Sequence, residues 1–388
     1  MGKEMNTFFL KPKIYFGNHS LNHLSDFNAG KVFIVTDQTM LKLGMAEKII
    51  EKIKGAAFKI FPDVEPNPSI ETVKKAFECF LQEQPELVIA LGGGSAIDAA
   101  KAMLLFYHYM KDISDIEMDL KKPLLIAIPT TSGTGSEMTS YSVITDTTNH
   151  LKIPLRDERM LPDVAILDEQ LTITVPPSVT ADTGMDVLTH AIEAYVSLNS
   201  SEFTDIFAER SIKMVFNYLL RAYRFGEDLD ARGKLHIASC MAGIAFTNSS
   251  LGINHSLAHA VGAKFHLPHG RTNAILLPYV IQYNSGFCDD TMDASPVAKR
   301  YTEISKMLGL PSSTLKEGVI SLVTAIQFLN KKLDIPSSFK ECDINETEFA
   351  KYIPSLAKDA MQDICTAGNP RKVTEKDFVY LLKWAYNG

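Results

Sequence analysis

The chain concentrates imidazoles where a metal ion could be held. Residues 255–269 read HSLAHAVGAKFHLPH and contain four of the ten histidines in 388 residues, His255, His259, His266 and His269. A window of fifteen should hold roughly 0.4 by chance. His255 and His259 are four apart, on one face if the segment is helical. Pro268 is expected to end that helix and leave His269 on a loop that folds back. A second pair, Asp186 and His190 in GMDVLTHAIEAYV, has the same spacing. Taken alone, each is an ordinary capping carboxylate or core histidine. Together, one carboxylate and three imidazoles suit Fe(II) or Zn(II). Spacing alone does not say which histidine of the cluster is left out.

Two further stretches suit phosphates and ribose. Gly92, Gly93, Gly94 and Ser95 follow the apolar run ELVIAL and open a helical pattern. Free backbone N–H groups and the helix dipole favour an anion at such a junction. The pattern is not G-x-G-x-x-G, and a triple glycine alone is also a common tight turn. The loop TTSGTGSE, residues 130–137, follows the run PLLIAIP and offers Thr130, Thr131, Ser132, Thr134 and Ser136 around two glycines. Asp37 follows KVFIVT. A carboxylate there can accept from ribose hydroxyls and repel a 2′-phosphate, or it can simply cap a helix.

The elements that position these residues follow from periodicity. KVFIVT, FKIFPDV, ELVIAL, PLLIAIP and VAILD (164–168) read as buried strands, the last of them closing the series. Between them lie helical stretches, among them MLKLGMAEKIIEKIKG and SIETVKKAFECFLQEQ, the latter with Ser69 and Thr72 as capping candidates. This alternation predicts an α/β domain with a mostly parallel sheet. From Ser178 onward the pattern is helical, so the expected division is 1–177 and 178–388. Residues 7–17 are expected to form an edge hairpin whose open side meets another subunit.

Composition narrows the function classes. A chain of this length predicts at least two domains. With 46% hydrophobic and 22% charged residues and a net charge of -7, general affinity for nucleic acid or an anionic membrane is not expected. No apolar run reaches the length of a membrane span, and the N-terminus lacks a signal pattern. The five cysteines, Cys79, Cys240, Cys288, Cys342 and Cys365, contain no C-x-x-C. They are expected to be reduced thiols of a cytoplasmic protein.

GGGSAIDAAK, PTTSGTGSEMT, ADTGMDVLTHAIEAYVS, NHSLAHAVGAKFHLPHGRTNAILLP and the late NPRKVTEKDF resemble the iron-containing (group III) alcohol dehydrogenases along nearly the whole chain. TTSGTGSE, TGMDVLTHA, SEFTDIFAE, NHSLAHAVGAKFHLPHG and MNTFFL resemble the propanediol-utilisation branch more closely still. The resemblance implies a dehydroquinate synthase-like architecture, an N-terminal dinucleotide-binding α/β domain and an all-α metal-binding domain, with the active site between them. It implies NAD(H) and Fe(II), with Zn(II) as the other fitting metal. By motif match the metal ligands would be Asp186, His190, His255 and His269. His259 would lie near the nicotinamide as a catalytic residue, and His266 has no counterpart. Asp37, Gly93, Gly94, Ser95, Thr130, Thr131 and Lys152 match cofactor-contacting positions, and Asp98 falls in the same glycine-rich motif.

The activity so implied interconverts a short-chain primary alcohol and its aldehyde, foremost propanal and 1-propanol. Ethanol, butanol, 1,3-propanediol and lactaldehyde with 1,2-propanediol are the alternatives. A homodimer or higher homo-oligomer is expected, in the cytoplasm or within a bacterial microcompartment among its shell or cargo proteins. A cyclase or sugar-phosphate dehydrogenase on a similar scaffold would need several basic residues at the site, and only Lys264 and Arg271 flank the ligand candidates closely. A nucleotide-sensing protein without chemistry is the non-enzymatic rival.

Overall fold

The computed structural model describes residues 7–113, 122–148, 151–287 and 295–388. Among these, two compact units are distinguished, Phe9–Val175 with Glu227–Gly243, and Pro176–Gly226 with Ile244–Gly388 and the N-terminal residues to Phe8.

The first unit contains β1 (Lys13–Phe16), β2 (Lys31–Val35), α1 (Gln38–Lys42), α2 (Met45–Ile50), β3 (Ala57–Phe61), α3 (Ile70–Glu83), β4 (Leu87–Gly92), α4 (Gly94–Ile113), β5 (Leu124–Pro129), β6 (Tyr141–Asp146), β7 (Leu151–Arg156) and β8 (Val164–Leu167). Six of these strands form a parallel sheet in the order β1-β8-β5-β4-β2-β3. Its strands read as unbroken apolar runs because both faces are covered. Phe33, Val35, Val88, Ala90, Leu125 and Ala127 face one layer with Val73 and Phe80 of α3 and Ile97 and Met103 of α4. Val32, Ile34, Ile89, Leu91, Ile126 and Ile128 face the other with Met45, Ala46 and Ile49 of α2. The alternation is the two-residue period of a strand. As expected, Ser69 caps α3, accepting from the Thr72 N–H.

Three local expectations are corrected. Residues 7–17 form no hairpin. β1 is a single edge strand paired in parallel with β8, in register Lys13 to Val164, and Phe8 stacks instead on Phe203 and Phe207 at 5.5 and 5.9 Å. The helical stretch after β2 is broken in two, because Gly44 at φ 66° turns the chain between α1 and α2. The antiparallel pair β6–β7 was not read from the sequence, since its strands are interrupted by polar residues.

The second unit contains α5 (Pro177–Val196), α6 (Glu202–Arg224), α8 (Ile253–Phe265), α9 (His269–Asn284), α10 (Pro296–Met307), α11 (Leu315–Lys332), α12 (Glu346–Gln362) and α13 (Glu375–Asn387). α7 (Leu229–Ser249) contributes its residues up to Gly243 to the first unit. The expected division at 177 and 178 does not contain this return of residues 227–243. Its cause is close packing and polar pairing within the first unit. A Cβ on Gly243 would lie 2.7 Å from the Gly135 carbonyl oxygen, and Arg232 Nη2 donates to the Val175 carbonyl at 3.0 Å. α5 packs against α6 and α9 and is buried almost throughout from Thr180 to Val196. The polar side chains Asp182, Asp186, His190 and Glu193 therefore need polar partners. No helix among the described residues is long and apolar enough to cross a membrane. Cys79, Cys240, Cys342 and Cys365 are free thiols, and Cys288 lies outside the described residues.

Candidate metal centre and cofactor loops

α5 presents Asp186 and His190 one turn apart, buried at 3% and 5% exposure. α8 presents His255, and α9 presents His269. One ligand atom from each of the four lies within 4.8 Å of all the others. His255 Nε2 and His269 Nε2 are 3.7 and 3.5 Å from Asp186 Oδ1, and His190 Nδ1 is 4.0 Å from Asp186 Oδ2. Nitrogen and oxygen atoms gathered this closely could serve together as ligands of one divalent ion. The set fits a divalent metal on a second observation. Asn273 Nδ2 lies 2.7 Å from Asp186 Oδ1, 3.2 Å from His255 Nε2 and 3.1 Å from His269 Nε2. An amide with two hydrogens faces one carboxylate oxygen and two imidazole nitrogens. The donors converge on one point and exceed what a protein hydrogen-bond donor there can satisfy. One carboxylate and three imidazoles, without a thiolate, suit iron or zinc.

His269 does not stand on a loop. α8 ends at Phe265, His266 caps it in the left-handed region at φ 55°, and Pro268 is the N-cap of α9, whose first residue is His269. Proline here starts a helix as well as following one, because its fixed φ and missing N–H cost nothing at that position. Gly270 lets α9 approach α5. A Cβ there would run into the Asp182 carbonyl and lie 3.2 Å from Asp186 Cβ.

His259 is one turn beyond His255, yet it pairs elsewhere. Its Nδ1 lies 2.8 Å from Asp363 Oδ2, and its ring stacks on that of His269 at 5.2 Å. Burial pushes the Asp363 carboxyl up, and His259 outweighs this and holds it well below the usual carboxylate range. Burial likewise pushes the His255 imidazole down, but the Glu193 and Asp186 carboxylates lift it to about 9. Three partners escaped the sequence reading. Glu193 was legible, being three residues after His190 on the same helical face. Asn273, four after His269, carried a weaker signal. Asp363 gave none, because it is distant in the chain.

In the first unit the anticipated cofactor residues gather at the carboxyl ends of β2, β4 and β5. The sheet order reverses direction at β2 and β4, the place where open α/β sheets bind ligands. Asp37 follows β2 and caps α1, its Oδ1 accepting from Thr39 and Met40 N–H at 2.8 and 3.0 Å. Its Oδ2 would lie 3.3 Å from a Cβ on Gly92, so the carboxylate caps the helix and also faces the glycine loop. Gly94 opens α4, with space beside it only for hydrogen, since a Cβ would meet Thr134 Cγ2 at 2.7 Å. Thr130 N–H donates to the Gly92 carbonyl, and Thr131 Oγ1 is beside Gly93. Ser95 Oγ accepts from Asn67 N–H at 3.2 Å, and Lys152 Nζ donates to Asn67 Oδ1 at 2.8 Å. Asn67, which nothing in the sequence singles out, thus ties Lys152 to the glycine loop.

Asp98 serves the protein's own framework. Ser136 Oγ and Val143 N–H donate to its two oxygens at 2.6 and 2.9 Å. Lys101, fully buried, donates to Ser136 Oγ and Thr139 Oγ1, and burial pushes it down to about 8. The hydroxyl loop is so fixed from one side, and from another by His236, whose Nδ1 is 3.0 Å from Ser132 Oγ. The two basic residues beside the metal candidates are both engaged. Arg271 Nε donates to Asp182 Oδ1 at 3.0 Å, and Lys264 Nζ sits 3.6 Å from the centre of the Tyr352 ring.

Comparison with known proteins agrees with this geometry from end to end. Residues 11–169 match the family model for iron-containing alcohol dehydrogenase, and residues 180–386 match that for the C-terminal part of the Fe-containing alcohol dehydrogenase family. The NADPH-dependent butanol dehydrogenase of Clostridium saccharobutylicum is 42% identical over 99% of this chain and 99% of its own. The 1-propanol dehydrogenase PduQ of Salmonella typhimurium is 38% identical over 98% and 99%. A solved structure of 1,3-propanediol oxidoreductase shares the fold with a TM-score of 0.88 at 30% identity, covering 99% of this chain and 100% of that one. The chain spans 46% of the length of the aldehyde-alcohol dehydrogenase of Streptococcus pneumoniae, to which it is 43% identical. Matched across both units, the chain belongs to the iron-containing alcohol dehydrogenase family of oxidoreductases.

Proposed function

We propose that the protein interconverts a short-chain primary alcohol and its aldehyde with NAD(H), with propanal and 1-propanol as the preferred pair. The observation that carries this reading is the convergence of Asp186, His190, His255 and His269 within 4.8 Å. These four residues hold a divalent ion, Fe(II) with Zn(II) as the alternative. When bound, the metal supplies Lewis-acid polarisation of the aldehyde oxygen and NADH supplies hydride. Gly93, Gly94 and Ser95 offer the helix start to the cofactor's phosphates. Asp37 accepts from its ribose, and Thr130, Thr131 and Lys152 complete the contacts. His259 relays the proton. Asp363 accepts from its Nδ1–H, so Nε2 is the atom left to exchange protons with the reacting oxygen.

The engaged state of Arg271 and Lys264 speaks against a phosphorylated substrate, which a cyclase or sugar-phosphate dehydrogenase would take. Relatives whose names specify butanol and 1-propanol support the short-chain alcohol class. Ethanol, butanol, 1,3-propanediol and lactaldehyde with 1,2-propanediol are the alternatives within it. We also infer a homodimer at least, working in the cytoplasm or in a microcompartment beside shell or cargo proteins. The test compares ethanal, propanal, butanal and lactaldehyde by steady-state NADH oxidation, with and without added Fe(II). The highest kcat/KM is expected for propanal. A higher value for another aldehyde overturns the substrate, and no NADH oxidation with any of them overturns the activity.

A further inference from the structure

The start of α8 and the ring of His255 share one carboxylate. Glu193 Oε1 accepts from the Asn254 N–H at 2.8 Å, and Glu193 Oε2 pairs with His255 Nδ1. Glu193 is 5% exposed, and Asn254 and His255 are 0% and 1% exposed. A buried carboxylate costs several kcal/mol unless its oxygens are hydrogen-bonded, so an apolar side chain would serve packing alone at less cost. Asn254 is the second residue of α8 after the Gly252 N-cap. Its N–H is one of the first-turn donors that no helical carbonyl can reach. Glu193 satisfies it, and a negative charge at that end also matches the helix dipole. The other oxygen acts on the imidazole. A carboxylate cannot donate, so His255 Nδ1 keeps its hydrogen, and Nε2 is the nitrogen that gives up a proton to offer a metal its lone pair. That atom is the one facing Asp186 and Asn273 Nδ2.

We infer that Glu193 is the positioning residue of the metal centre, fixing at once where α8 begins and which nitrogen of His255 is free to bind a metal. The inference rests on the four-residue metal reading above. Its logic is that of metal-bound histidines generally, whose second nitrogen is held by a carboxylate or carbonyl, and loss of that partner costs 10–100-fold in metal affinity. Glu193→Gln keeps the shape but breaks the arrangement. An amide has one acceptor for two N–H groups, so either Asn254 N–H loses its partner, or the His255 ring faces an NH2. In the second case the imidazole hydrogen moves to Nε2 and blocks the site.

The test titrates zinc-stripped protein with Zn(II) against a chelator. Glu193→Gln should bind Zn(II) roughly 10–100-fold more weakly than the wild type, and the thermal midpoint of the stripped protein should fall modestly, since one buried N–H loses its partner. Equal affinity, within about twofold, sinks the inference. If the variant does not fold, the wild type decides alone. In zinc-loaded, 15N-histidine-labelled protein, His255 should show a hydrogen-bonded Nδ1–H and a metal-bound Nε2, and the opposite assignment overturns the inference. A wild type whose zinc affinity is indifferent to His255→Ala fails the metal reading itself, whereas tight wild-type binding matched by Glu193→Gln fails only the role of Glu193.

Discussion

His259 Nδ1 lies 2.8 Å from Asp363 Oδ2, although His259 sits one helical turn from His255 and its ring stacks on that of His269 at 5.2 Å. A histidine this near the ligand cluster is therefore turned by a carboxylate outside it. The two members of the i, i+4 pair take different partners, and this separates their roles. His255→Ala removes a proposed ligand and should give metal-poor protein with almost no turnover. His259→Ala should retain its metal and turn over more slowly, or with a displaced pH profile. Metal content by elemental analysis beside kcat/KM for the preferred aldehyde checks both. Loss of the ion from His259→Ala with retention in His255→Ala would reverse the assignment. Retention in both would remove the cluster as the metal site.

Gly270 is the point of close approach between α9 and α5, where the two helices bring His269 and Asp186 together. Because a Cβ there meets the Asp182 backbone rather than a flexible side chain, Gly270→Ala must shift one helix. Overpacking of this kind costs about 1–3 kcal/mol, and the shift falls at the residue preceded by His269. The variant should lose thermal stability and carry less metal than the wild type. Full metal content at an unchanged thermal midpoint would show that the approach is not needed.

Much of this site was legible as spacing. Asp186 with His190, and the window from His255 to His269, announced themselves because a helix converts a four-residue interval into a shared face. The strands of the sheet were equally plain, since burial on both faces leaves long apolar runs. What escaped was of another kind. Pro268 stops one helix and starts the next, and the residue alone does not distinguish the two, so His269 was assigned to a loop. Asp363 and Asn67 act through contacts with residues distant in the chain, and their types are common in turns and helix ends. Residues 227–243 read as one more helix because periodicity reports amphipathicity, whereas the glycine and histidine contacts to the hydroxyl loop decide which unit it joins. β6 and β7 alternate too weakly to stand out.

His236 makes the stability of the first unit depend on pH. Burial pushes this imidazole down to about 4, against about 6.5 in the unfolded chain. Between those values the unfolded state binds more protons than the native one, so stability falls as pH drops from 6.5 to 4. The group's contribution is on the order of 3 kcal/mol across that window. His236→Gln can keep a hydrogen bond to Ser132 without titrating, and its acid limb should be shallower. Urea unfolding of zinc-stripped protein at pH 4.5, 5.5 and 6.5 measures this. Parallel profiles for variant and wild type would show that His236 is not the group responsible.

On the proposed NAD(H) reading, cofactor choice should turn on Asp37, which makes two kinds of contact in this fold. Its Oδ1 caps α1, and its Oδ2 faces Gly92 at the point where the sheet order reverses. The cap predicts a stability effect, and the facing oxygen predicts a specificity effect. Replacing a capping aspartate by glycine costs only a few tenths of a kcal/mol, so Asp37→Gly should fold with a nearly unchanged thermal midpoint. Specificity should change more. A carboxylate and a 2′-phosphate about 5 Å apart repel by a few kcal/mol at an effective dielectric of about 20. Removing the carboxylate should also forfeit its hydrogen bonds to the ribose hydroxyls of NAD. Both effects act in one direction, and the ratio of kcat/KM for NADH to that for NADPH should fall at least about tenfold. Partial metal loss lowers both kcat/KM values alike and cancels in their ratio, so the ratio reports cofactor choice alone. An unchanged ratio would leave Asp37 as a helix cap only, and the discrimination between the two cofactors would then belong to other residues of the β2–β4 end of the sheet.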